Sequence, residues 1–80
     1  MAEKSVEERI IDAVAVQLGI VDKTEIKLES AIVADLGADS LDMVELTMWL
    51  EDNFGLDIPD EDSDKIVTVG DAIKYVTDRQ

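Results

Sequence analysis

Residues 39–55 have the sequence DSLDMVELTMWLEDNFG and predict the longest helix of this 80-residue chain. Asp39 can cap the helix, because its carboxylate can accept hydrogen bonds from backbone N–H groups of the first turn. Asp42 then lies in that turn, where a negative charge stabilises the positive end of the helix dipole. Gly55 is a typical C-terminal stop. We therefore expect a helix over residues 40–54.

Two apolar stripes run along this predicted helix when its residues are placed at about 100° per residue. The first stripe would face the core and consists of Met43, Leu46, Leu50 and Phe54. The second stripe lies on the opposite side, among carboxylates, and consists of Leu41, Val44 and Met48. One stripe is enough to pack a helix onto a single core. The second stripe therefore predicts a docking surface for a partner protein, although isolated apolar residues are also common on protein surfaces.

Two further helices are predicted from their caps. Ser5-Val6-Glu7-Glu8 is a capping box, in which the Ser and Glu side chains bond to each other's backbone N–H groups. Apolar residues follow at helical spacing until Gly19, so the first helix should span residues 6–18. Near the other end, Thr68 can cap a last helix with Asp71 in its first turn.

The rest of the chain is predicted to form connections. The apolar residues of segment 20–39 do not recur at a sustained regular spacing. We expect this long loop to be held over the core by apolar side chains. These anchors are Ile26, Leu28, Ile32, Val33 and Leu36. Pro59 interrupts regular secondary structure. Residues 60–65 can then form one short helical turn. Gly70 lies in the first turn of the last predicted helix, where the sequence indicates no reason for a glycine. The prediction is one all-α domain over residues 1–80, a bundle of three main helices and one short helix with a long first loop.

The negative charge is concentrated in the middle of the chain. The formal net charge is −13, and the stretch between Lys27 and Lys65 has twelve acids and no Lys or Arg. The negative electrostatic potential around such a stretch repels nucleic acid and anionic membrane surfaces. It attracts proteins with basic patches and accelerates their encounter. The alternative is that the acids only keep a small protein soluble.

The chain has no Cys and no His. This excludes zinc sites built on thiolate or imidazole, and it excludes Ser-His and Cys-His nucleophilic pairs. Carboxylates, hydroxyls and a few lysines remain as candidates for chemistry. No pair of carboxylates can be placed in a cleft from the sequence, and Ser40 has no neighbouring base, so we expect no catalytic residue; we also expect no metal site. No apolar run approaches the length of a membrane span. Residues 1–4 lack the features of a signal or transit peptide, so we expect a cytoplasmic protein.

Ser40 begins the second predicted helix, directly after a turn that contains Gly37. A phosphate esterified to Ser40 would face free backbone N–H groups and the positive end of the helix dipole. The position therefore suits an anionic substituent. The alternative is an ordinary polar residue at a helix start.

The octapeptide DLGADSLD, residues 35–42, resembles the signature of the acyl carrier proteins of fatty acid synthesis. Residues 44–46 (VEL), residues 58–61 (IPDE) and the segment 65–69 are also similar to that family. The resemblance extends over nearly the whole chain. It implies that a phosphopantetheinyl transferase attaches 4'-phosphopantetheine from coenzyme A to Ser40. It also implies a non-catalytic role, in which the arm supplies the thiol that the chain lacks.

The same resemblance implies two groups of site residues. Those that would meet basic surfaces of fatty acid synthesis enzymes and of the transferase are Asp35, Asp39, Leu41, Asp42, Val44, Glu45, Met48, Glu51 and Asp60. Those that would line a pocket for the acyl chain are Ile32, Leu46, Leu50, Ile58, Ile66, Ala72 and Tyr75. We expect a monomer that binds neither nucleic acid nor the interior of a membrane.

Two positions depart from the common pattern of the family. Trp49 stands where a small residue is usual. It falls beside the core stripe of the second helix, so we expect it to be half-buried, and it could narrow or reshape the partner surface. Met43 replaces a common hydroxyl residue and could shorten the acyl cavity. These differences leave the carrier role intact but bear on the length of the acyl chain.

Three other interpretations stay open at this stage. The chain could be a carrier for a specialised pathway such as polyketide, lipid A or cofactor synthesis. It could be an acidic adaptor without a prosthetic group. Asp60, Asp62 and Asp64 alternate as in a calcium-binding loop, with Asp71 at the twelfth position, but Lys65 replaces the Gly that such a loop needs at its sixth position.

Overall fold

The computed structural model describes residues 4–79, which form four α-helices. These are α1 (Val6–Leu18), α2 (Ser40–Phe54), α3 (Asp60–Ser63) and α4 (Val69–Asp78), with a 3₁₀ turn at Lys23–Glu25. The described residues contain one isolated β-bridge, between Ala31 and Thr68, and no strand. The predicted all-α bundle is confirmed, and so are the predicted bounds of the first two helices.

Each long helix begins at the cap that the sequence predicts. The Ser5 hydroxyl accepts a hydrogen bond from the Glu8 backbone N–H at 3.2 Å. At the start of α2, the Asp39 and Asp42 side chains each accept from the other's backbone N–H group. Thr68 and Asp71 form the same reciprocal box at the start of α4. These bonds satisfy N–H groups that have no partner inside the helix.

Helix α1 packs against both α2 and α4, and the core between them is aliphatic. The buried side chains are Ile10, Val14, Ala15, Ile26, Ile32, Ala38, Leu46, Leu50, Ile58, Ile66, Val69, Ala72 and Val76. Among residues 4–79 no polar or charged side chain is buried. The three aromatic residues stand at the edge of this core, half-buried, and Trp49 meets Phe54 edge to face at 5.8 Å between ring centroids.

The long loop is fixed to the start of α4 mainly by its backbone. The Ile32 N–H donates to the Val67 carbonyl at 2.9 Å, the Val69 N–H to Ser30 at 3.1 Å and the Gly70 N–H to Leu28 at 2.8 Å. These bonds pair two segments that are about forty residues apart in the sequence. They account for the ordered course of a connection that has no periodic pattern.

The predicted side-chain anchors of this loop are correct in part. Ile26 and Ile32 are buried, and Leu36 is half-buried against the core. The prediction is wrong for Leu28 and Val33, whose side chains are 47% and 53% exposed. Leu28 holds the loop through its carbonyl oxygen instead, and the carbonyl of Val33 accepts the N–H of Gly37 in a turn.

Gly70 has a role that the sequence did not indicate. A Cβ atom added at this position would lie 3.0 Å from the carbonyl oxygen of Leu28, which is closer than carbon and oxygen normally approach. The absent side chain therefore lets the loop come close enough for the hydrogen bond between these two residues. Glycine is suited to such an approach of one backbone to another.

We expect Gly70→Ala to leave the free energy of unfolding unchanged or to lower it. An Ala in a helix normally stabilises it by about 1 kcal/mol relative to Gly, but here its Cβ would press on the Leu28 carbonyl. The control is Thr77→Ala, at an exposed position of the same helix, which should stabilise by about 0.5 kcal/mol. Urea unfolding of the three proteins tests this, and a gain near 1 kcal/mol for Gly70→Ala would contradict it.

We also expect Asp71 to make stability depend on pH. Hydrogen bonds from the backbone N–H groups of Thr68 and Val67 hold the pKa of its carboxyl below the usual value. Its stabilising effect is then fully present above the unfolded pKa, about 4, and is lost as pH falls through the lower folded value.

Asp71→Asn should accordingly lower the free energy of unfolding by about 1 kcal/mol at pH 7, a modest value because the side chain is exposed. The difference between wild type and variant should begin to shrink as pH falls below the unfolded pKa of about 4, and it should go on shrinking as pH falls through the lower folded pKa. Urea unfolding over this pH range measures it, with Asp57→Asn on the surface as the control. A difference that stays constant with pH would show that the charge of Asp71 has no role.

Candidate functional site

Ser40 is the first residue of α2, and its side chain is exposed. The N–H of Asp42 donates to the Asp39 carboxylate at 2.8 Å, and the N–H of Met43 donates to the Asp39 carbonyl at 3.1 Å. The N–H groups of Ser40 and Leu41 have no acceptor within residues 4–79. The Ser40 hydroxyl therefore stands at the positive end of a helix, next to two N–H groups that remain available.

A tight turn ahead of Ser40 fixes where this hydroxyl is presented. The Asp35 carboxylate accepts a hydrogen bond from the Ala31 N–H at 2.8 Å. The N–H of Ala38 donates to the Ile32 carbonyl at 3.1 Å, and the Ala38 side chain is buried. Gly37 has a φ of +79°, which favours glycine at this point of the turn. The site thus consists of an ordered turn and the first turn of α2.

The second apolar stripe of α2 faces solvent. Leu41, Val44 and Met48 are 63%, 54% and 55% exposed, and together we call them the outer face. They lie on the same helix as Ser40, within its first three turns. Exposed apolar side chains aligned in this way are suited to contact with another protein.

The predicted partner carboxylates fall into two groups. Asp35, Asp39, Glu45 and Asp60 are exposed, whereas Asp42 and Glu51 are half-buried. All of them except Asp60 accept hydrogen bonds within the described residues: Asp35 in the loop, Asp39 and Asp42 in the helix cap, Glu45 from Gln17, and Glu51. The Glu51 carboxylate accepts the N–H of Ile58 at 3.0 Å. Glu51 thus ties the last turn of α2 to the following connection, a role that sequence reasoning missed.

One glutamine joins α1 to the acidic surface of α2. The side-chain amide of Gln17 donates to Asp42 at 3.2 Å and to Glu45 at 2.9 Å. Trp49 also lies on the α1 side of α2, where it lines a cleft with Ala13 and Val16. Trp49 is half-buried, as predicted.

The predicted lining of the acyl pocket belongs to the closed core. Six of the seven residues are buried, and Tyr75 is half-buried. The Tyr75 hydroxyl donates to the Asp62 carboxylate at 2.7 Å. Burial raises the pKa of this hydroxyl above its ordinary value, and the hydrogen bond to Asp62 acts in the same direction.

A groove of about 320 Å³ opens beside this core, between the long loop, α2 and the segment after α3. We call it the Met43 groove, and it is lined by Ala31, Val33, Ala34, Met43, Ser63, Asp64, Ile66 and Val67. Of the predicted pocket residues only Ile66 lines it. Met43 stands three residues after Ser40 on α2, so the groove begins about one helical turn from the site.

The resemblance of residues 60–71 to a calcium loop does not extend to the structure. Asp60 and Asp62 are part of helix α3, and Asp62 is engaged with Tyr75. Residues 4–79 contain no group of three or more acidic side chains that could hold a metal ion. None of the described helices is long and apolar enough to cross a membrane. The predicted absence of a targeting signal concerns residues 1–4, of which 1–3 lie outside the described part.

The exposed hydroxyl and the available N–H groups fit the attachment of a phosphate ester. Residues 8–76 match a family model described as a phosphopantetheine attachment site. Over 69 residues the chain is 54% identical to the acyl carrier protein of Clostridium acetobutylicum, an alignment that covers 86% of this chain and 88% of that protein. Both comparisons extend over α1 to α4, so the chain belongs to the acyl carrier protein family, whose cofactor is 4'-phosphopantetheine.

Proposed function

We propose that this protein carries acyl intermediates of fatty acid biosynthesis on a 4'-phosphopantetheine arm attached to the Oγ atom of Ser40. The observation that carries the proposal is the exposed hydroxyl of Ser40 at the positive end of α2. The arm supplies a thiol that holds acyl groups as thioesters, and the chain has no Cys of its own.

The backbone around Ser40 suits the phosphodiester of the arm. The N–H groups of Ser40 and Leu41 can donate to phosphate oxygens, and the helix dipole favours a negative charge at this end. The Asp39 carboxylate is directed to the N–H of Asp42 by the capping box. This arrangement leaves the first two N–H groups of the helix for the phosphate.

The chain does not activate Ser40 by itself. The Ser40 side chain has no hydrogen-bond partner within the described residues, and the sequence contains no His. A serine hydroxyl is a weak nucleophile without a neighbouring base. The base that takes its proton must therefore come from a phosphopantetheinyl transferase, with coenzyme A as donor, and the protein acts as a substrate and carrier instead of an enzyme.

The outer face is proposed as the surface that these enzymes recognise. Its apolar residues Leu41, Val44 and Met48 would contact an apolar depression on the partner. The exposed carboxylates Asp39 and Glu45 would pair with a basic rim and accelerate the encounter. This assignment is in keeping with a protein that stays monomeric in the cytoplasm until it meets a partner.

We expect the mass of the protein to increase by about 340 Da, the mass of the arm, after incubation with coenzyme A and a phosphopantetheinyl transferase. Ser40→Ala should show no increase, because the attacking oxygen is absent. Ser5→Ala is the control, since Ser5 is also exposed at a helix N-terminus, and it should be modified as the wild type is. Modification of Ser40→Ala, or none of the wild type, would refute the proposed site.

We expect Met48→Ala to lower kcat/KM for the transferase between about three- and tenfold, the loss typical of an exposed anchor in an interface. Thermal unfolding should change little, because the side chain is exposed. Val16→Ala is the matched control, as it removes an exposed apolar side chain from α1. An equal effect of the two substitutions would argue against recognition through the outer face.

A further inference from the structure

A hydroxyl pair lies between α2 and α3. Thr47 Oγ1 and Ser63 Oγ are 3.3 Å apart, and both residues are partly buried. Thr47 Oγ1 also donates to the Met43 carbonyl at 2.8 Å, so its one proton is in use there. Ser63 must therefore donate in the contact between the two hydroxyls. At 3.3 Å this is long for a bond between hydroxyl groups, for which 2.7–2.8 Å is usual, so the Ser63 proton is weakly held.

The pair stands at the edge of the Met43 groove. Ser63 lines that groove together with Met43 and Ile66, and Thr47 follows Met43 by one turn of α2. Most of the lining is apolar. Ser63 and Asp64 are the residues of the lining with polar side chains.

The core behind the groove offers nothing to a polar group. Ile32, Leu46, Leu50 and Ile58 are buried, and the described part of the chain contains no buried polar side chain. An oxygen placed there would lose its hydrogen bonds to water without replacement, which is unfavourable. A polar substituent on a bound acyl chain would thus be satisfied better at the groove, where Ser63 and Asp64 have polar side chains, than in this core.

Helix α3 is held more firmly to α4 than to α2. The Tyr75 hydroxyl donates to Asp62 at 2.7 Å, and Arg79 lies 3.6 Å from the same carboxylate and 3.5 Å from the centre of the Tyr75 ring. Towards α2, the side-chain hydrogen bond of α3 is the weak contact between Ser63 and Thr47. Helix α3 therefore has fewer and longer side-chain hydrogen bonds to α2 than to α4.

We propose that Thr47 and Ser63 bind the hydroxyl of an acyl group that has a hydroxyl close to its thioester, such as a 3-hydroxyacyl group. The Ser63 hydroxyl turns and donates to the substrate oxygen. The substrate hydroxyl donates in turn to the free lone pair of Thr47 Oγ1, whose proton stays on the Met43 carbonyl. A saturated chain of the same length can make neither bond. This inference rests on the proposed function, since the acyl group must be carried on Ser40.

The test compares two acyl groups on the same protein. The wild type is loaded with 3-hydroxyoctanoyl or octanoyl arms, by a transferase that accepts the corresponding coenzyme A thioesters. The rate at which hydroxylamine cleaves each thioester is divided by the rate for the free coenzyme A thioester, which gives a protection factor. Ser63→Ala and Thr47→Val should lower the protection of the 3-hydroxyoctanoyl group at least about threefold and leave that of the octanoyl group unchanged.

Thr77→Val is the matched control. Thr77 is exposed on α4, and its hydroxyl donates to the Ile73 carbonyl as that of Thr47 does to Met43. This variant should keep both protection factors. Equal losses for the two acyl groups in Ser63→Ala and Thr47→Val would overturn the inference, because they would mean that the pair only holds α3 in place.

The inference can also be tested on the wild-type protein alone, by NMR. The amide resonances of Thr47 and Ser63 should shift more between the unacylated and 3-hydroxyoctanoyl forms than between the unacylated and octanoyl forms. Equal shifts would overturn the inference while the carrier function stands. Failure to load any arm on Ser40 would instead refute the proposed function, and the inference with it.

Discussion

The backbone pairing between residues 28–32 and 67–70 is the constraint on which the position of the site depends. It holds a loop of about twenty residues against α4 through three hydrogen bonds between backbone groups. Ordering such a loop costs conformational entropy for every residue. The buried side chains of Ile26 and Ile32 and these bonds offset that cost. Because the loop leads directly into the turn before Ser40, its attachment to α4 also fixes where α2 begins.

Different parts of helix α2 have three different roles. Leu46 and Leu50 fill the core, Ser40 stands at the positive end, and the outer face is turned to solvent. The start of the helix is stabilised by a side-chain capping box that does not use the first two N–H groups. A protein with a charge of −13 thereby keeps one local region that favours an anion. The long-range repulsion acts on approaching phosphates, whereas a phosphate ester on Ser40 would be stabilised by short-range hydrogen bonds.

The helices could be predicted from sequence because their signals are local. The caps at Ser5, Asp39 and Thr68 and the stops at Gly19 and Gly55 act within a few residues, so the bounds of α1 and α2 followed from them. The loop could not be predicted in the same way, because its hydrogen bonds join residues about forty positions apart. Because of that distance, the sequence indicated an apolar side-chain anchor at Leu28 and not the hydrogen bond that its carbonyl accepts from Gly70.

For the site, the sequence predicted that Ser40 begins α2 and that α2 has a second apolar stripe; the structure has Ser40 as the first residue of α2 and that stripe exposed to solvent. The sequence did not indicate the bond of Glu51 to Ile58 or the contact of Thr47 with Ser63. Both depend on how the end of α2 and helix α3 are placed relative to each other. A spacing of seven residues across the end of α2 at Gly55, or of sixteen residues across Pro59, carries no periodic signal, so these pairs emerge only from the packing.

Because the core is closed, it would have to open before it could hold an acyl chain. The seven residues that would surround an acyl chain pack against one another, while the open groove lies beside them at the side of α2 and α3. A chain that enters must therefore separate packed side chains. Aliphatic side chains without buried polar partners can be separated without breaking hydrogen bonds, since the lost contacts are replaced by contacts with the apolar chain. Helix α3 has its stronger side-chain bond to α4, through Asp62 and Tyr75, and its weaker one to α2, the helix that begins at Ser40.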